Sequence, residues 1–81
     1  MRAIFFSRPN CPPCEKVLPG VQAEAKRWNI PLEVINVFEQ PETANRYGIK
    51  STPHLIVFDD NNVIQYSSSS ISTGLFTYGD D

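Results

Sequence analysis

Apolar positions along the chain fall into short runs and one long stripe, and each pattern predicts an element. Residues 2 to 7, RAIFFS, form a compact apolar and aromatic run that reads as a nearly fully buried strand, stopped by the turn signal Arg8-Pro9-Asn10. From Pro13 to about Trp28, Val17, Leu18, Val21, Ala25 and Trp28 recur at spacings of three and four with charged and polar residues between them, the pattern of an amphipathic helix. Asn29-Ile30-Pro31 ends it, because a residue before proline is pushed out of the helical region. LEVINVF, residues 32 to 38, supplies β-branched and aromatic residues for a second strand. A short helix is expected over 41 to 47, with Pro41 at its first position, Glu42 in its first turn and Gly48 placed for a left-handed cap. Ser51-Thr52-Pro53 opens a third strand, HLIVF, which proline can begin but not occupy centrally. The turn Asp59 to Asn62 then joins it to a fourth strand, VIQY, as a hairpin. Beyond the polar SSSSIST, the residues Ile71, Leu75, Phe76 and Tyr78 suit one short covering helix, and the acidic end is expected to fray.

The order β-α-β-α-β-β-α predicts an α/β fold: a mixed four-stranded sheet flanked by about three helices on both faces, with the first strand beside the second or the third. At 81 residues the chain is expected to be one domain, residues 1 to 81, without repeat or linker. A domain this small buries only about 60% of its unfolded surface, so most of its Phe, Ile, Leu and Val should be core. Net charge is -2, and no basic cluster interleaves with aromatics, which argues against a nucleic-acid surface. The opening MRAIFFSRPN has too short an apolar run for a signal segment or a bilayer span, so a soluble, cytoplasmic protein is expected; a monomer is the expected state.

The chemistry concentrates in Cys11-Pro12-Pro13-Cys14, which holds the only two cysteines of the chain and lies where the first strand gives way to the helix. A Cys-x-x-Cys beside a βαβ pattern reads first as a redox couple, and a dithiol in a reducing compartment is more often catalytic or metal-binding than structural. A zinc or iron-sulfur site wants four ligands, whereas the chain offers two cysteines and the single His54. With Cys11 as helix N-cap, its sulfur faces the positive end of the helix dipole and can accept from the N–H of Cys14. Pro12 and Pro13 have no N–H to give, so the Cys11 thiolate is favoured less than the dipole alone would allow. Arg8 and Lys16 favour it further, and Glu15 opposes it. The prolines also stiffen the loop, and Pro13 should push Pro12 out of the helix, so that the first helical turn begins at Pro13. Cys11 would be the exposed attacker and Cys14, one turn in, the buried resolving thiol.

Two prolines remain without a local reason. Pro19 interrupts a good helix at a cost of about 3 kcal/mol in an ordinary interior, implying a kink. The Thr52-Pro53 bond would on base rates be trans, since only about 5–6% of X-Pro bonds in folded proteins are cis. Taken with the Cys-x-x-Cys, they make the chain resemble the thioredoxin superfamily. There, a strand leads into Cys-x-x-Cys at a helix N-terminus, a proline kinks that helix five residues after the second cysteine, and a cis-proline faces the disulfide. NVFEQPETANRYGIKSTPHLIVFDDNNVI is similar to the later half of that fold, and the match covers roughly residues 2 to 66. The resemblance implies a minimal thioredoxin fold, a cis Thr52-Pro53 bond and a substrate-binding surface formed by Pro12, Pro13, Thr52 and Pro53. The backbone of Thr52 would pair with an extended substrate segment.

The chain departs from the thioredoxin pattern at several positions. Asn10 stands where a tryptophan is usual and Pro12 where a glycine is. Phe5 stands at the place of the buried acid and Val34 at that of its partner lysine, leaving Cys14 without the usual proton acceptor. Chain length and the Cys-Pro start look more like a glutaredoxin, but the glycine pair and acid that bind glutathione are absent from the matching region, Tyr66 to Ser70. The resemblance implies a thiol-disulfide oxidoreductase acting through Cys11 and Cys14 in electron transfer and cell redox homeostasis. It needs no cofactor beyond its redox-active disulfide, with glutathione as a conceivable co-substrate. Its partners would be disulfide-containing proteins, ribonucleotide reductase among them, and an upstream thioredoxin reductase. The alternatives are a glutaredoxin fed by glutathione, or a thioredoxin-fold binding module without turnover.

Overall fold

A computed structural model describes residues 1 to 69 of the chain. Four strands and two helices alternate in the order β1 (Arg2–Ser7), α1 (Pro12–Arg27), β2 (Leu32–Asn36), α2 (Pro41–Arg46), β3 (His54–Phe58) and β4 (Ile64–Ser68). The third helix expected around Ile71 to Tyr78 lies outside the described residues. The strands form one mixed sheet in the order β2-β1-β3-β4. The two most buried strands, β1 and β3, sit inside it, β1 parallel to β2 and antiparallel to β3, with β3 and β4 closing as the expected hairpin.

Because side chains alternate along a strand, β1 and β3 feed two separate cores. Ala3, Phe5, Leu55 and Val57 face α1 and pack with its Cys14, Val21 and Ala25. Ile4, Phe6, Ile56 and Phe58 point the other way and meet Ile35 of β2, Tyr47 and Ile49. The Tyr47 ring makes edge and tilted contacts with Phe58 and Phe6, at centroid distances of 5.7 and 6.0 Å. Layers thus cover both faces of the sheet, as the alternation of elements predicts. Among the described residues no helix is long and apolar enough to cross a membrane.

Both helices close through the same device. Asn29 takes a left-handed φ of 56° after α1, and its N–H donates to Lys26 while that of Ile30 donates to Ala25. Gly48 does the same after α2 with a φ of 67°, the N–H groups of Gly48 and Ile49 donating to Asn45 and Ala44. Left-handed Asn or Gly at this position satisfies the last carbonyls of a helix.

Several boundaries differ from expectation. The second strand stops at Asn36 rather than Phe38, because the Asn36 carboxamide accepts the N–H of Phe38 at 2.8 Å and bends the chain into a turn. The fourth strand runs from Ile64 to Ser68, since the Asp59 carboxylate takes the N–H groups of Asn61 and Val63 into the turn. Trp28 is not part of the buried stripe: it caps α1 and is exposed, its indole N–H donating to Glu24. Val34, Phe38, Val63 and Ile64 are also exposed, since edge strands and turns of so small a sheet leave one side uncovered.

Candidate active site

The site is assembled where β1 ends and β3 begins. Phe5 pairs with Leu55 and Phe6 with His54, so the segment leaving β1 and the segment approaching β3 meet at one end of the sheet. The first carries Cys11 and the second carries Thr52-Pro53, 41 residues apart in sequence. Asn10 turns the chain toward the helix with a φ of 56°, a conformation Asn tolerates better than most residues. The Arg8 guanidinium donates to the Asn10 carbonyl at 3.3 Å, holding that turn.

Cys11 is the N-cap of α1, and its Sγ accepts the N–H of Cys14 at 3.3 Å, the one donor the sequence leaves available in the first turn. Its carbonyl takes the first intrahelical bond, from the N–H of Glu15 at 3.0 Å. The helix begins at Pro12, one residue earlier than expected. The clash that keeps a residue before proline out of the helix involves partly its own N–H, and Pro12 has none. Pro at both of the first two positions suits a helix start, where those N–H groups would go unpaired. Pro19 lies inside the helix, as the sequence requires.

Cys11 and Cys14 are joined as a disulfide, with Cα atoms 5.2 Å apart. The Thr52-Pro53 bond is cis. Pro53 is buried and Thr52 half-buried, and the Thr52 hydroxyl lies 3.7 Å from Cys11 Sγ. A disulfide sulfur carries no proton, so in this contact the hydroxyl donates. The sequence pointed to the Thr52 backbone and missed this hydroxyl, for which no local signal exists. Pro12 and Pro13 are exposed on the first turn between the two sulfurs.

The expected division into exposed Cys11 and buried Cys14 does not hold in the disulfide form: Cys11 is 0% and Cys14 2% exposed. Both sulfurs are drawn into the core cluster with Phe5, Val21 and Leu55, and Thr52 packs over Cys11. Phe5 is fully buried and in register with Val34, and among the described residues no polar or charged side chain is buried. The wall behind the disulfide is therefore hydrocarbon. Glu15 and Lys16 are exposed on α1. His54 sits on the opposite face of β3 from Leu55, its Nε2 hydrogen-bonded to Ser67 Oγ at 2.8 Å, and burial holds its pKa below the usual histidine value. Among the described residues no three His, Cys, Asp or Glu side chains gather as metal ligands.

Comparison with known proteins places this arrangement among its relatives. Residues 3–65 match the family model for a thioredoxin domain. Thioredoxin 1 of Synechococcus elongatus is 39% identical over 59 residues, which are 70% of this chain and 55% of that protein. A prophage-derived thioredoxin-like protein of Bacillus subtilis, YosR, is 35% identical over 60 residues, 74% of this chain and 70% of its own. The solved structure of thioredoxin 1 from Thermosipho africanus superimposes with a TM-score of 0.83 at 26% identity, covering 90% of this chain and 81% of that one. The chain thus spans about half the length of the cyanobacterial relative.

Proposed function

The chain belongs to the thioredoxin family, and on that premise we propose that it is a thiol-disulfide oxidoreductase that reduces protein disulfides by exchange through Cys11 and Cys14. The observation that carries this reading is the Cys11–Cys14 disulfide at the start of α1, with Cys11 Sγ held by the Cys14 N–H and faced by the hydroxyl of Thr52 beside cis-Pro53.

In the reduced protein the Cys11 thiolate attacks one sulfur of a substrate disulfide, forming a mixed disulfide and releasing the first substrate thiol. Cys14 then attacks Cys11 Sγ, the mixed bond breaks, and the second substrate sulfur leaves as a thiolate. The proton lost by Cys14 ends on that departing thiolate, because the hydrocarbon wall of Phe5 offers no acceptor. One disulfide is reduced to two thiols while the protein dithiol is oxidised to the form described above. The helix N-terminus, the Cys14 N–H and the Thr52 hydroxyl all favour negative charge on Cys11. The backbone of Thr52 pairs with the extended substrate segment over Pro12, Pro13 and Pro53. An upstream reductase restores the dithiol, ribonucleotide reductase is one recipient class, and the cytoplasm is the compartment. The relatives and structural neighbour described above are thioredoxins or thioredoxin-like, and the glutaredoxin alternative draws no support from them.

Insulin-disulfide reduction, driven by a thioredoxin reductase or by glutathione, tests this. The wild-type chain should work with the reductase, Cys11→Ser should fall to background, and Cys14→Ser should accumulate a mixed disulfide visible by mass. Activity surviving in Cys11→Ser removes the nucleophile assignment, and wild-type inactivity with both donors favours a binding module.

A further inference from the structure

Next to the disulfide, on the side of the turn after β2, lies an open depression of about 190 Å³. Its floor is apolar, from Val37, Phe38 and Ile49, and its rim carries two cations, Arg8 and Lys50. Thr52 closes the end nearest Cys11, so one residue lines the depression and touches the reactive sulfur. Phe38, in the turn after β2, leaves 69% of its surface in water and so is open to contact by an apolar side chain. Among the described residues neither Arg8 nor Lys50 has a carboxylate partner, although the chain carries more acidic than basic residues. Glu39 follows Phe38 in the chain but does not line the depression.

We propose that this depression is a specificity subsite for the target segment, taking an apolar side chain on Phe38 and Val37 with an acidic residue held between Arg8 and Lys50. The proposal rests on the oxidoreductase reading and adds to it the class of substrate sequence. The volume falls below the roughly 300–1,000 Å³ of sites for drug-sized ligands, so it suits a side chain rather than a cofactor. At about 3.3 Å per residue, an extended segment bonded to Cys11 and paired along Thr52 reaches the depression within about one to three residues. Two cations without a carboxylate partner among the described residues, around an apolar floor, complement an acidic-apolar pair and repel a basic one.

The test separates recognition from turnover. Two seven-residue peptides, identical except that a glutamate next to a leucine is replaced by lysine, and with serine in place of their cysteine, are titrated into the isotopically labelled, oxidised full chain. The acidic peptide should move the amide signals of Phe38, Ile49 and Lys50 and bind about tenfold more tightly than the lysine peptide, a difference that added salt diminishes. The double variant Arg8→Glu/Lys50→Glu should reverse the preference, and its resonance dispersion reports whether it is folded. Equal affinities, or shifts confined to other residues, overturn the subsite. The insulin assay on the wild-type chain is read separately: its failure removes the oxidoreductase reading, while the titration still decides the subsite.

Discussion

The least ordinary residues of the site are the two prolines between the cysteines. They start the helix and hold the sulfurs together, yet they withhold two N–H groups from the sulfur that caps it, leaving the Cys14 N–H and the Thr52 hydroxyl to serve it. Pro13→Ala should restore a donor at the second helical position, one of those from which a capping side chain accepts. A hydrogen bond to a side chain is worth about 0.5–1.5 kcal/mol net, so the pH midpoint for alkylation of Cys11 in the reduced protein should fall by up to about one unit. An unchanged or raised midpoint would show that the new N–H does not reach the sulfur. The same substitution loosens the unfolded chain and should lower stability by about 0.4–1 kcal/mol. Residue chemistry was legible from the order of amino acids here, since capping and proline geometry act within three or four positions. The Thr52 hydroxyl and the burial of Cys11 were not, because both arise from a segment 41 residues away.

Among the elements, α2 shows how a short helix is held in place. Its six residues could not stand alone, and it persists because Gly48 closes its end and Tyr47 packs on Phe6 and Phe58. A Cβ at Gly48 would meet no atom within 4 Å, so the φ of 67° alone sets the cost of substitution. Gly48→Ala should therefore destabilise the fold by about 1–2 kcal/mol, read as a lowered urea midpoint with an unchanged slope. A neutral result would mean that the turn relaxes. Because Gly48 leads directly into Ile49 and Lys50, the same variant should broaden the amide signals of the depression. The helix and its cap were predictable from Pro41, Glu42 and Gly48. The early end of β2 was not, because LEVINVF is uniformly strand-forming and the polar competitor, Asn36, acts through one side-chain hydrogen bond.

For the whole molecule, stability follows from two thin cores on either side of one sheet, with His54 at the edge of one of them. Burial lowers its pKa, so below about pH 6.5 the unfolded chain binds a proton that the folded chain resists. The contribution of His54 is fully present above that pH, declines as pH falls through it, and levels off once the folded histidine is also protonated. His54→Asn should flatten this part of the pH profile in urea unfolding between about pH 5 and pH 7.5. An undiminished slope would assign it to other groups. Hydrophobic period, turn residues and capping signals are local, and by themselves they determined the identity and order of the six described elements, the redox pair, the end of α1 before Pro31 and the closure at Gly48. The tertiary structure alone decided that β1 would lie between β2 and β3, that the Thr52 hydroxyl would face Cys11 Sγ, and that Arg8, Phe38 and Lys50 would share one depression. The physical reason is that strand partners are chosen by burial of whole faces. Only the register of Phe5 on Leu55 and Val34, summed over the core, brings distant segments to the same end of the sheet.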